Sequence, residues 1–176
     1  MQFIDTSISA VKIVKPNKTA DDRGYFSRAF CAREFAEAGL MDLFVQCNMS
    51  GSTRAGTLRG IHYQTGSHAE AKFVRCVKGA VFDVAVDLDP DSPTYLEYVG
   101  VELSEGNAWG LYVPPTCAHA YQTLEDDSVV YYHVSAFYTP DAERGLRHDD
   151  PRLAIDWPMA VAEMSDKDRD WPLLEE

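Results

Sequence analysis

The sequence predicts an all-β fold, an antiparallel barrel or double-sheet sandwich, and three observations predict it. Short runs rich in β-branched and aromatic residues recur at close intervals. Turn signals such as "KG", "DPDSP", "SEGN" and "EDD" stand between several of them. The chain of 176 residues is 45% hydrophobic and 25% charged, enough apolar material for a core without metal or disulfide staples, and it reads as one domain over 1–176.

The first run is "VKIV" (11–14), and "CAREFAEAGL" (31–40) follows as a helix that stops at Gly39. "LFVQCNMS" (43–50) returns to strand. In "LRGIHYQ" (58–64) strict alternation puts His62 and Gln64 on one face and Arg59 on the other. For Arg59 and His62 to serve one site the strand needs a bulge or sharp twist, and Gly60 between them is the residue type that permits it. "KFVRCV" (72–77) and "AVFDVAVDL" (80–88) come next. In the latter Phe82, Val84 and Val86 form one fully apolar face, while Val81, Asp83, Ala85 and Asp87 form a mixed one. "YLEYVGVEL" (95–103), "GLYVP" (110–114) and "SVVYYHVSAFY" (128–138) complete the strands; "YVPPTCA" reads as a strand ending in a Pro-Pro turn at a barrel rim. The segment "TPDAERGLRHDDPRLAIDWP" carries too many prolines and charges for regular structure and reads as a long ordered loop wrapping the barrel. Beyond it, Ser165 caps a turn in "MSDKDRDW".

Sixteen Lys and Arg against 28 Asp and Glu give a formal charge of -12, which opposes a phosphate backbone and argues against nucleic acid as a partner. An anionic small molecule requires a few cations concentrated in a pocket against that field. The N-terminus lacks a basic stretch followed by a long apolar run, and no segment approaches the roughly 18 apolar residues of a membrane span, so a cytoplasmic protein without membrane association is expected. Cys31, Cys47, Cys76 and Cys117 are widely spaced in apolar contexts and read as buried thiols.

Histidine is the first candidate for a base, because its unperturbed pKa lies near neutrality. His68, His133 and His148 read as structural or exposed. His62 stands out through its neighbours Arg59, Gln64 and Lys72, and His119 through its place after the Pro-Pro turn. A metal site of the His-x-His type is broken, because Gln64 stands two positions after His62 and is a poor ligand; no metal is expected.

"DDRGYFSRAF", "FVQCNMSGSTRAGTLRGIHYQ", "AKFVRCVKGAVFDVAVDLDPDSPTY", "LYVPPTCAHAY" and "GLRHDDPRLAIDWP" resemble, in order, segments of the dTDP-4-dehydrorhamnose 3,5-epimerases, over about residues 20–170. The resemblance implies a cupin-like jelly-roll barrel with short peripheral helices, no metal, no cofactor, a homodimer, and a nucleotide-diphosphate sugar substrate. It implies His62 as the base, Asp168 as the carboxylate that orients it, Lys72 as the cation near the enolate oxygen and Tyr132 as the general acid. It further implies that Arg59, His119, Gln46 and Asn48 bind the diphosphate and sugar, that Tyr138 stacks on the nucleotide base and that Glu143 touches substrate. Arg23 would reach into the neighbouring subunit's pocket, with Arg28 nearby. Three places depart from the family: Arg28 stands where dTDP-specific members commonly have glutamate, "TCAHAY" replaces "GFAHGF", and His133 replaces lysine.

Overall fold

The computed structural model describes residues 1–174. Its strands are, in chain order, β1 (Gln2–Asp5), β2 (Lys12–Lys15), β3 (Lys18–Asp21), β4 (Gly24–Ser27), β5 (Gln46–Ser52), β6 (Leu58–Gln64), β7 (Lys72–Lys78), β8 (Ala80–Asp87), β9 (Tyr98–Ser104), β10 (Gly110–Val113), β11 (Cys117–Thr123), β12 (Ser128–Val134) and β13 (Glu143–Gly145). A six-stranded sheet runs β1-β2-β10-β7-β12-β5 and a five-stranded sheet runs β13-β6-β11-β8-β9. Strands β3 and β4 pair separately as a hairpin. Only β1–β2 and β8–β9 join sequence neighbours within the two large sheets, and the rest are antiparallel partners distant in the chain. Two such sheets folded face to face are the cupin-like jelly roll.

The space between the sheets is filled from both sides by Val74, Cys76, Val81, Ala85, Leu103, Leu111, Val113 and Val130. The mixed face of β8 therefore looks inward. Its fully apolar face, with Val84 and Val86, turns outward and packs with Ile61, Ala118 and Ala120 beneath Leu146, Leu153 and Trp157 of the C-terminal segment. That segment wraps the barrel as expected, and backbone hydrogen bonds fix it there. Leu58 N donates to Glu163 O at 2.9 Å and Ala162 N to Gly56 O at 2.9 Å. Gln122, fully buried on β11, donates to Met159 O at 2.8 Å and accepts from Met159 N at 3.0 Å.

Helix α1 (Ala32–Glu37) buries Phe35 against the outer face of the six-stranded sheet. Phe3, Phe30, Phe44 and Phe73 surround that ring, with centroids 4.9 to 6.1 Å away in edge contacts. Helix α2 (Asp166–Arg169) starts at Ser165, whose Oγ accepts from Asp168 N at 3.1 Å, the cap expected from "MSDKDRDW".

Several expectations are corrected. Strand β10 ends at the Pro-Pro turn as expected, but the residues after the turn, for which no strand was expected, form β11, whose side chains are all buried at the centre of the five-stranded sheet. The segment expected to be irregular contains β13, which completes that sheet beside β6. The strand expected from residue 95 begins at Tyr98, because Leu96 sits in a turn with φ 66. Cys76 and Cys117 are buried, and burial pushes their thiols up to about 11 and about 12. Cys47 is exposed on the edge strand β5 and Cys31 is half-buried, so the expectation of four buried thiols fails for both. No helix among the described residues is long and apolar enough to cross a membrane.

Candidate active site

A cavity opens between the two sheets in two adjoining compartments of about 680 and 300 Å³. His62, Lys72 and Tyr132 line both. His62 comes from β6 in the five-stranded sheet, whereas Lys72 on β7 and Tyr132 on β12 come from the six-stranded sheet.

The bulge anticipated in "LRGIHYQ" is present. His119 pairs with His62 and Tyr121 with Arg59, so three steps along β6 match two along β11. Gly60 adopts φ 106 there, and a Cβ on it would lie 2.7 Å from His119 O. The extra residue turns Arg59 onto the face of His62, and both side chains line the larger compartment. Gln64 lines the smaller compartment, but its amide is committed to loop backbone: its Nε2 donates to His68 O and Phe137 O at 3.1 and 3.3 Å, and its Oε1 accepts from Thr139 N at 2.6 Å. That buried amide pins loops to β6. Among the described residues no group of three or more His, Cys, Asp or Glu side chains is placed to hold a metal ion.

His62 Nε2 lies 2.5 Å from Asp168 Oδ1, and Asp168 Oδ2 accepts from Gly60 N at 3.2 Å. Burial alone pushes the Asp168 carboxyl up, but the His62 ring, the Gly60 N–H and the Ser165 hydroxyl outweigh it and hold the group below the usual carboxylate range. Sequence reading missed a second pair: His119 Nε2 lies 2.9 Å from Asp83 Oδ1 on β8. Asp83 is fully buried, and burial pushes its carboxyl up against the opposing pull of His119 and Lys72. The signal in the sequence was an acidic residue, Asp83, flanked by Val81 and Ala85 on the mixed face of β8.

The Tyr132 phenol is held above its ordinary value, first by burial and then by the Glu70 charge, while Asn48 and Arg59 pull it down. Gln46 and Asn48 follow each other on the inward face of β5, and Gln46 Nε2 donates to Asn48 Oδ1 at 2.7 Å. Tyr138 OH donates to Glu143 Oε2 at 2.8 Å, and Lys167, also missed from the sequence, pairs with the same carboxylate. Burial pushes Glu143 up, but Lys167 and Tyr138 more than offset it.

Ten of the twelve residues singled out from the sequence thus meet at one cavity: Gln46, Asn48, Arg59, His62, Lys72, His119, Tyr132, Tyr138, Glu143 and Asp168. Arg23 and Arg28 do not line it. Arg23 pairs with Asp21 at the tip of the β3–β4 hairpin, and Arg28 with Glu34 of α1. Arg59, Lys72, Lys167 and Arg169 line the cavity beside Glu70, Glu143, Glu163 and Asp168, so cations balance carboxylates there inside a chain of net charge -12, and the net excess of positive charge expected for an anionic small molecule is not present within one chain.

The sequence from residue 5 to 176 matches the family described as dTDP-4-dehydrorhamnose 3,5-epimerase. The dTDP-4-dehydrorhamnose 3,5-epimerase of Sinorhizobium fredii is 45% identical over 179 residues, spanning 99% of this chain and 90% of the relative. The dTDP-4-dehydrorhamnose 3-epimerase of Streptomyces niveus is 38% identical over 177 residues, spanning 100% of this chain and 85% of the relative. The crystal structure of dTDP-4-dehydrorhamnose 3,5-epimerase from Bacillus anthracis, with TDP and PPi bound, superposes with a TM-score of 0.95 at 39% identity, covering 98% of this chain and 99% of that one. With the jelly roll, the order of its motifs and this degree of identity in agreement, the chain belongs to the dTDP-4-dehydrorhamnose 3,5-epimerase family, a family of isomerases.

Proposed function

We propose that this protein inverts C3 and C5 of a dTDP-linked 4-keto-6-deoxyhexose by removing and returning a proton at each carbon. The C4 ketone makes both neighbouring C–H bonds weakly acidic, so the reaction needs a base, a stabiliser for the enolate oxygen, and an acid on the opposite face. The observation that carries the reading is that His62 and Tyr132 face one cavity from opposite sheets. A proton taken on one side of a sugar ring held between them is replaced on the other, which inverts the carbon.

Asp168, held as a carboxylate, can only accept from the imidazole. The proton of neutral His62 therefore sits on Nε2, leaving the Nδ1 lone pair to take the substrate proton. Asp168 then stabilises the imidazolium that forms. Lys72 supplies positive charge for the enolate oxygen, and Tyr132, kept protonated, delivers the inverting proton. Arg59, His119, Gln46 and Asn48 hold the diphosphate and sugar, Tyr138 stacks on the nucleotide base and Glu143 makes a further contact with substrate.

The active form is a homodimer in the cytoplasm whose pockets each receive Arg23, with Arg28 nearby, from the partner. Supporting this, the β3–β4 hairpin leaves Phe26 76% exposed and the edge strand β5 leaves Met49 71% exposed, surfaces that a second copy would cover. Sedimentation with kinetics at matched concentration tests it, and a fully active monomer overturns it.

The decisive experiment incubates the enzyme in heavy water with dTDP-4-keto-6-deoxyglucose and its GDP, UDP and CDP counterparts, then locates deuterium by NMR. Deuterium with inversion at C3 and C5 of the dTDP sugar is expected. Label at C3 alone would match the 3-epimerase relative instead, and binding without exchange would leave only a sugar-nucleotide-binding protein.

A further inference from the structure

We propose that Glu70 is a positioning residue for this reaction, tethering the Lys72 ammonium where the two compartments of the cavity meet; the role rests on the epimerase reading above. Glu70 Oε1 lies 3.2 Å from Lys72 Nζ, and the two side chains are only 11% and 13% exposed. An ion pair drawn this far out of water gives back much of its attraction as desolvation, so stability alone is a weak reason for its presence. Its backbone is fixed as well: next to it, Ala71 N donates to Ser135 Oγ at 2.8 Å and Ser135 N donates to Ala71 O at 3.0 Å. The chain that carries the carboxylate is thus held at the neighbouring residue, and Lys72 is a point charge on a flexible four-carbon stem that the carboxylate can hold in place.

The reason for an anchor lies in the substrate. A diphosphate carries more negative charge than a ketone, so an untethered ammonium in the same cavity moves toward the phosphates, which Arg59 already serves. Held by Glu70, Lys72 stays available for charge that develops on the sugar oxygen only in the transition state, and interactions of that kind are the ones that accelerate turnover. The same carboxylate acts on Tyr132 in the sense that keeps its phenol protonated, second only to burial. The other charged groups that line the cavity with these two are Arg59 and His62 on β6, His119 on β11, Glu143 on β13, and Glu163, Lys167, Asp168 and Arg169 of the C-terminal segment, while Asp83 on β8 interacts with Lys72. Glu70 pairs with Lys72 while influencing Tyr132, so one side chain sets both the cation and the acid.

Glu70→Gln keeps the shape and removes the charge. It should lower kcat by about 10- to 100-fold, as small displacements of a catalytic group do, with little change in KM. The alkaline limb of the kcat profile should move to lower pH, and Glu70→Asp should recover part of the rate. The Tyr132 phenol can also be titrated without turnover, as the ultraviolet difference between each protein and the same protein carrying Tyr132→Phe; its midpoint should fall in Glu70→Gln. An active wild type beside a Glu70→Gln variant with unchanged kcat, limb and midpoint overturns the Glu70 proposal alone. A wild type that exchanges no substrate hydrogen with any sugar nucleotide overturns the epimerase reading and the role together.

Discussion

His62 Nε2 and Asp168 Oδ1 lie 2.5 Å apart across 106 positions of sequence. The contact depends on the C-terminal segment, which crosses the five-stranded sheet and returns α2 to the bulge in β6. Trp171 packs so closely on Gly145 of β13 that a Cβ there would meet its indole at 2.2 Å, and Ser165 caps the turn that carries Asp168. The pairing of base and carboxylate is therefore a property of the wrapped segment as much as of the barrel.

The first prediction concerns this pair. His62→Asn should lower the rate of inversion by roughly 10² to 10⁴, the usual contribution of a general base. Asp168→Asn should cost less, because the imidazole remains while its orientation and its stabilisation when protonated weaken. Initial rates by NMR check both. His62→Asn turning over near the wild-type rate would remove the base from the assignment.

Gly60 carries the second. A side chain there must accept φ 106 and would meet Ala120 Cα at 2.9 Å as well as His119 O. Gly60→Ala should destabilise the protein by at least about 1–3 kcal/mol, the range for backbone strain of this kind, and should reduce activity because Arg59 and His62 share a face only through the bulge. Gly106→Ala, whose added Cβ would meet Ser104 Oγ at an ordinary 3.8 Å, is the control and should change stability by less than about 0.5 kcal/mol. Denaturant unfolding of the two variants side by side measures the difference, and equal midpoints would refute the strain argument.

These two sites also show what was legible in the sequence. Strand β6 was readable from end to end, and Gly60 between two polar residues announced the bulge, because both signals are local. The cap at Ser165 was local too. Strand β11 was not readable: it is buried on both faces, so Cys117–Thr123 shows no alternation, and the prolines before it suggested an ending instead. Asp83 was read only as part of the mixed face of β8, because its pairing with His119 depends on the register of β8 against β11, which sets His119 opposite Ala85. Lys167 and Glu70 gain their meaning from neighbours 24 and two positions away respectively, at contacts created only by the wrapped segment and the inward turn of β7. Arg23 and Arg28 were identified by family resemblance, and within one chain they lie away from the cavity.

The third prediction is a pH dependence of stability. His133 stacks on Phe73 at 5.8 Å and lies among Phe30, Phe44 and Tyr131, with its Nδ1 buried and without a hydrogen-bond partner among the described residues. Burial, opposed by the Phe73 backbone and assisted by Arg75, pushes this imidazole below its ordinary value. The unfolded chain then binds a proton more readily than the folded one. Its contribution is fully present above about pH 6.5 and is lost as pH falls through the folded value. Tm should drop faster on acidification for the wild type than for His133→Phe. Parallel Tm curves for the two proteins would show that His133 is not the group responsible.

Tyr132 separates catalysis from binding better than any other position. Its ring belongs to the wall of both compartments and packs partly against the core between the sheets, while its hydroxyl is the feature that an acid requires. Tyr132→Phe removes one oxygen and leaves the aromatic body, so affinity for the sugar nucleotide should change little. Proton abstraction by His62 from the opposite sheet remains possible in the variant. In heavy water it should therefore still exchange substrate hydrogen, with retention of configuration, while product inverted at C3 or C5 falls sharply. Inversion at the wild-type rate would mean that another group delivers the proton. Loss of binding together with inversion would make the hydroxyl chiefly an anchor for substrate, and the acid would then have to be sought among the remaining donors of the six-stranded sheet, beginning with Lys72.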